Sequence, residues 1–125
     1  MKLSKTVYKT KFEITTSNHL IIFCSVNGIK SQFLIDSGAS NSCINYLCSK
    51  KFNLILNRYN ERASSATNEI KEMYYSKKNI LKIGELIHKK FEVILFDMSQ
   101  INASLSEKNI QNIDGIIGGD VLIEF

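Results

Sequence analysis

The amino-acid sequence predicts an all-β fold, and three observations predict it. Apolar, β-branched runs of strand length recur along the chain, Asn-Gly and Gly-Glu dipeptides separate neighbouring runs, and a glycine-rich apolar strand stands near the end. Neither linkers nor repeats interrupt this pattern, so residues 1–125 read as a single domain, large enough to bury a core.

In chain order, Thr6 to Thr15 alternates as a strand does, at an edge or at a dimer contact. His19 to Val26 and Ile29 to Ile35 form a hairpin around Asn27-Gly28, the dipeptide that best tolerates the positive φ angles of a type I′ turn. That turn pairs Val26 with Ile29 and Leu20 with Ile35. Asp36 then emerges just past the paired region, where backbone donors can hold a carboxylate outside the core. Asn41 to Lys51 reads as a short turn or helix, and Leu54-Ile55-Leu56 as a brief strand. The small, polar stretch Ala63 to Ile70 leads into Met73-Tyr74-Tyr75. Ile80 to Ile83 and Phe91 to Phe96 are strands around a Gly84-Glu85 turn, and Met98 to Gln111 is a loop with a helical turn.

Two segments carry the chemistry. The apolar run Phe33-Leu34-Ile35 delivers Asp36-Ser37-Gly38-Ala39-Ser40, which puts an acid at the mouth of a tight turn where a buried strand ends. Downstream stands Ile113-Asp114-Gly115-Ile116-Ile117-Gly118-Gly119-Asp120. Taken alone, the first segment also suits an ordinary β-turn in which Asp and Ser bond their own backbone. Both segments in this order resemble the retropepsin-like (clan AA) aspartic proteases, the single-domain relatives of retroviral proteases.

The resemblance implies a retropepsin-like acid protease barrel, one domain per chain, with an active site shared by a homodimer. It implies Asp36 as the catalytic acid, and Ser37, Gly38 and Ala39 as support for its loop. Ser37 would bond the partner's backbone, and Ala39 would be small because the two loops meet on the two-fold axis. Gly38 gives the turn access to unusual φ and brings an N–H to the carboxylate. The polar stretch falls where the family keeps its flap, which makes Ser65, Ala66, Thr67 and Asn68 candidate substrate-binding residues; a plain surface loop is the other reading. The family continues into a terminal strand after its glycine-rich strand and helix, and since this sequence stops at Phe125 that strand is expected to be missing, either by truncation or because the dimer is built from the N-terminal strand and the catalytic loops alone.

Peptide hydrolysis needs a water made nucleophilic and a proton delivered, and two carboxylates sharing one proton do both. One chain holds a single DSGAS, so the second aspartate comes from another copy. Ile116 and Ile117 belong to the core, and Gly118-Gly119 lets their strand run close behind the loop. Asp120 is expected to cap a helix over Val121-Leu122-Ile123. Asp114 is expected to be a solvated acid at a strand start. An in-chain dyad with one of these two remains a second arrangement.

Composition removes other classes. The charge of +4 comes from scattered lysine pairs, which read as solvated surface, and no nucleic-acid module is visible. The longest apolar stretches, such as Leu20 to Cys24, are too short to span a bilayer. With no secretion signal at the N-terminus, the expectation is a cytoplasmic protein with reduced cysteines, Cys24, Cys43 and Cys48, serving as small buried hydrophobes. His19 and His88 show no metal-ligand spacing, and Cys43 to Cys48 is not CxxC, so no metal or other cofactor is expected. Gly115 to Gly119 is not GxGxxG, and no GxSxG occurs. The reading is an aspartic endopeptidase acting on a peptide or protein substrate. Its rival is a catalytically silent peptide-binding or assembly module on the same scaffold.

Overall fold

The computed structural model describes residues 12–15, 18–58 and 72–123. Its strands are β1 (Phe12–Ile14), β2 (Leu20–Val26), β3 (Ile29–Ile35), β4 (Cys43–Asn45), β5 (Asn57–Arg58), β6 (Tyr74–Ile83), β7 (Leu86–Phe96) and β8 (Gly115–Ile117). Two helices accompany them, α1 (Ser99–Ser106) and α2 (Gly119–Leu122). The sheet order is β1-β2-β3-β8-β4-β7-β6-β5, and an additional β2–β6 pairing closes the six inner strands into a mixed barrel. Two of its pairings, β3–β8 and β4–β7, are parallel.

The β2–β3 hairpin has the expected register, Val26 opposite Ile29 and Leu20 opposite Ile35. Asn27 and Gly28 adopt φ angles of 52° and 83°, as a type I′ turn requires. Strand alternation then sorts the side chains into two cores. Ile22, Val26, Phe33, Ile44, Phe91, Val93, Leu95 and Ile117 fill one cluster. Their sequence neighbours Ile21, Leu34, Cys43, Ile94 and Ile116 point the other way, to a second cluster that Met98 and Leu105 complete from around α1.

Closure of the barrel rests on a bulge. Strand β6 loses register with β7 between Ser76 and Leu81, with Lys78 at φ 62°. The backbone of Ile80 pairs instead with Asn27: its N–H donates to Asn27 Oδ1 at 2.9 Å, and its carbonyl accepts the Asn27 N–H at 2.8 Å. Asn27 Nδ2 donates to the carbonyl of Phe52 and to Oδ1 of buried Asn79. One turn residue thus satisfies the polar groups that the bulge exposes.

Several elements differ from the sequence expectation. Strands β6 and β7 run to 10 and 11 residues, because the bulge and the exposed lysines hide their alternation. Leu54 to Leu56 is irregular, and the brief strand lies at Asn57–Arg58. The 41–51 region holds β4 and a 3-10 turn over Tyr46–Cys48. The expected helical turn is the eight-residue α1, pinned by buried Asn102, which bonds both the N–H and the carbonyl of Ile113. Of the N-terminal strand, Phe12–Ile14 is seen, paired with β2. The flap candidates Ser65, Ala66, Thr67 and Asn68 lie outside the described residues, whereas Tyr74 and Tyr75 begin β6. Among the described residues no helix is long and apolar enough to cross a membrane.

At Gly115 the barrel leaves no room for a side chain, since an added Cβ would lie 2.2 Å from the Cys43 carbonyl oxygen and 2.6 Å from the Phe33 ring. Backbone cannot yield as a flexible side chain does. Gly115→Ala is therefore expected to lower stability by about 3 kcal/mol or more, at the upper end for overpacking. Urea unfolding midpoints of the two proteins measure it.

Candidate active site

Strand β3 ends at Ile35, level with Ile117 of the parallel strand β8, and the next residue is Asp36. Its N–H extends the ladder by donating to the Ile117 carbonyl at 2.9 Å. The chain then turns back, with Ala39 N–H donating to the Asp36 carbonyl at 3.1 Å. Gly38 N–H donates to Asp36 Oδ1 at 3.0 Å, so one carboxylate oxygen is held by the turn itself. Asp36, Ser37 and Gly38 are exposed, and Ala39 is half-buried. This places the four expected loop residues together around one solvent-facing acid.

Gly38 does not use the unusual φ that was expected of it; among the described glycines only Gly28 and Gly84 have positive φ. Its constraint is a milder steric one, because a Cβ there would stand 3.2 Å from Asp36 Oδ1 and push the oxygen that its N–H holds by a few tenths of an ångström. Behind the loop, an added Cβ on Gly118 would meet the Ala39 carbonyl oxygen at 2.6 Å. At Gly119 the same atom would find ordinary contacts, the nearest at 3.5 Å, while Gly119 N–H donates to the Ala39 carbonyl at 2.7 Å. Only the first glycine of the pair is demanded by space.

Asp120 does not cap the helix. Helix α2 starts two residues earlier than expected, Gly118 occupies the cap position, and Asp120 sits in the first turn. Its Oδ1 accepts the hydroxyl of fully buried Ser42 at 2.8 Å, and that hydroxyl accepts the Gly118 N–H at 3.0 Å. Ser42 therefore ties the chain after the Asp36 turn to the strand–helix junction behind it. Sequence reasoning missed this residue, because nothing local distinguishes it from Ser37 or Ser40.

Asp114 is not a solvated acid either. Its side chain is 15% exposed and joins three segments. It accepts the Gln32 N–H at 2.9 Å, pairs with Lys51 Nζ at 3.0 Å, and takes the Cys48 thiol at 3.6 Å. The acids at the two ends of the glycine-rich segment are thus engaged in holding the fold, and Asp36 is the one left open to solvent.

The cysteines are free, and only Cys43 is buried; Cys24 and Cys48 are half-buried. Burial pushes the Cys43 thiol up to about 11 from 9.0, against a lowering backbone bond to Ile116, and the charges of Asp120 and Asp36 push it up further. Burial likewise raises Cys24 to about 11, partly offset by its bond to Ser31. Folding thus favours the protonated thiols. Their contribution is fully present below about pH 9 and is lost as pH rises toward 11. Unfolding midpoints taken across that window should fall, and Cys43→Ala should flatten the fall.

Ser42→Ala tests the clasp, since it strips the partner from the Gly118 N–H and from one Asp120 oxygen. Loss of about 1–3 kcal/mol in urea unfolding is expected.

Comparison with known proteins follows the same lines. Three of the solved structures that resemble this chain illustrate the likeness. They are a retropepsin-like aspartic protease from Rickettsia conorii (TM-score 0.64, 19% identity, 95% of this chain and 86% of that one); the retroviral protease-like domain of Ddi1 from Leishmania major (0.58, 18%, 90% and 78%); and EIAV protease in complex with the inhibitor HBY-793 (0.55, 13%, 98% and 93%). At these identities the likeness shows the fold, a retropepsin-like barrel. A search of curated proteins finds no match. Residues 22–121, which include both the Asp36 loop and the glycine-rich segment behind it, match the aspartyl protease family, and the chain belongs to that family.

Proposed function

We propose that this chain is an aspartic endopeptidase that works as a homodimer, with Asp36 from each subunit forming the catalytic dyad. The observation that carries the reading is the Asp36 loop: an exposed carboxylate at the end of a barrel strand, one oxygen held by Gly38 N–H, with the loop clasped from behind at Ala39. The second oxygen has no hydrogen-bond donor among the described residues. A carboxylate in that state can hold and deprotonate a water, while a protonated partner carboxylate donates to the substrate carbonyl.

Two like charges a few ångströms apart cannot both ionise, so the pair holds one proton over a working range and titrates as a unit. Asp114 and Asp120 are poor partners for Asp36 within one chain, since each already accepts a hydrogen bond that holds the barrel together. A second copy is the remaining source. In the dimer the exposed Ser37 and the half-buried Ala39 would face the partner loop, and the segment with Ser65 to Asn68 would serve as flap. Substrate would lie extended in the cleft, bonded through its backbone as an added strand.

Asp36→Asn keeps the shape of the side chain and removes its acid–base function. The expected outcome is an unchanged fold by circular dichroism and loss of peptidase activity at every pH. Wild-type turnover in the folded variant would end the proposal. Activity of the wild type should fall on both sides of an acidic to mildly acidic optimum.

Assembly gives a second test. Activity per chain should drop on dilution, in step with dimer dissociation followed by sedimentation. Excess Asp36→Asn chains should poison the wild type by forming heterodimers with one carboxylate. Specific activity indifferent to both would point to a dyad within one chain.

A further inference from the structure

A cavity of about 430 Å³ opens beside the Asp36 loop, between β6–β7 and the start of α2. Its wall includes Asn41 and Ser42 from the chain just after the loop, Tyr75 and Lys77 from β6, Glu92 from β7, and Asp120 from α2. The wall thus carries two acidic residues and one basic residue. Lys77 Nζ lies over the Tyr75 ring, 5.5 Å from its centroid. Among the described residues neither Glu92 nor Asp120 has an ion-pair partner, and Asp120 Oδ1 is taken by the Ser42 hydroxyl. The cavity therefore keeps an unbalanced negative charge, carried most freely by the exposed Glu92.

The wall of the cavity begins where the loop of the candidate catalytic centre ends. Asn41 and Ser42 follow the DSGAS turn directly, and the Ser42 carbonyl accepts the N–H of Ile94, another residue of the wall. The Cys43 thiol, next in the chain, feels the charges of both Asp120 and Asp36. An extended peptide advances about 3.3 Å per residue. One lying across Asp36 would bring a side chain a few residues from the scissile bond to this wall.

We infer that the cavity is a distal specificity subsite that takes the lysine or arginine side chain of a peptide substrate, with Glu92 as the carboxylate that sets the preference. The inference rests on the proposed endopeptidase reading for its substrate. Its chemistry is ordinary charge recognition: a long basic side chain reaches the carboxylates while its aliphatic stem lies along Val93 and Ile94. Because Glu92 is exposed, the preference is modest and screened by salt.

The test is a peptide series that differs only by Lys, Gln or Glu at each of several positions on either side of the scissile bond. It is read as kcat/KM on the wild type and as binding, by fluorescence anisotropy, on Asp36→Asn protein. At one position Lys should exceed Gln by a factor of about two to five, the size expected of an exposed charge pair. That ratio should collapse toward one in Glu92→Gln and invert in favour of Glu in Glu92→Lys. Hydrolysis with no charge preference, or with a preference that both Glu92 variants retain, overturns the subsite and leaves the peptidase reading standing. Absence of hydrolysis, with a binding preference that still follows Glu92, keeps the subsite and ends the catalytic reading. Absence of both hydrolysis and charge-dependent binding overturns the two together.

Discussion

The backbone of the β8–α2 junction lies directly against the backbone of residues 39–43, and the geometry around Asp36 follows from that approach. Gly115 meets the carbonyl of Cys43, and Gly118 meets those of Ala39 and Asn41, at distances that leave no room for a Cβ. Contact this close lets main-chain groups bond across it: Asp36 N–H to Ile117, Gly119 N–H to Ala39, and Gly118 N–H to the Ser42 hydroxyl. A loop held by its own main chain does not depend on long side chains for its position. The exposed turn can then present a carboxylate without the mobility that exposure ordinarily brings.

At the opposite end of the barrel the problem is closure. Joining β2 to β6 through only two residue pairs, Ser25 with Lys82 and Val26 with Leu81, would leave the neighbouring main chain of a bulged strand unbonded. Asn27 supplies the missing partners because its turn conformation frees both its amide group and its backbone N–H to face Ile80 and Asn79. The residue that makes the hairpin is thus also the one that seals the barrel. Asn79, buried beside it, completes the network by donating to Ser76 and to the Phe91 carbonyl. A polar cluster in such a place is tolerable because every member is satisfied.

These two regions also explain what was legible in the sequence. The hairpin was readable in full, register included, because a two-residue Asn-Gly turn fixes every pair behind it. The Asp36 loop was readable because strand, acid and glycine are contiguous. Strand β4 was not, since three residues carry no periodicity and its parallel pairing with β7 joins residues far apart in the chain. The length of β6 was hidden by Lys77-Lys78, where the bulge breaks the alternation. Asp114 and Asp120 were misread for one physical reason: their partners Gln32 and Ser42 lie 82 and 78 residues away, so local pattern assigned them to solvent and to a cap.

The same long-range bonds separate three acids that look alike in sequence. A carboxylate whose oxygens accept fixed donors is committed to the elements those donors belong to, and changing it costs those bonds. Asp114 is in that state, with a backbone N–H on one oxygen and the Lys51 ammonium on the other. Asp120 is partly so, through Ser42. Asp36 is exposed and has one oxygen on a single N–H of its own turn. Of the three, it is the acid that takes no part in the bonds that join distant segments of the barrel. The proposed dyad calls for an acid so placed, since two carboxylates meeting across a two-fold axis would share their proton at the surface of the turn while the clasp behind Ala39 stayed intact.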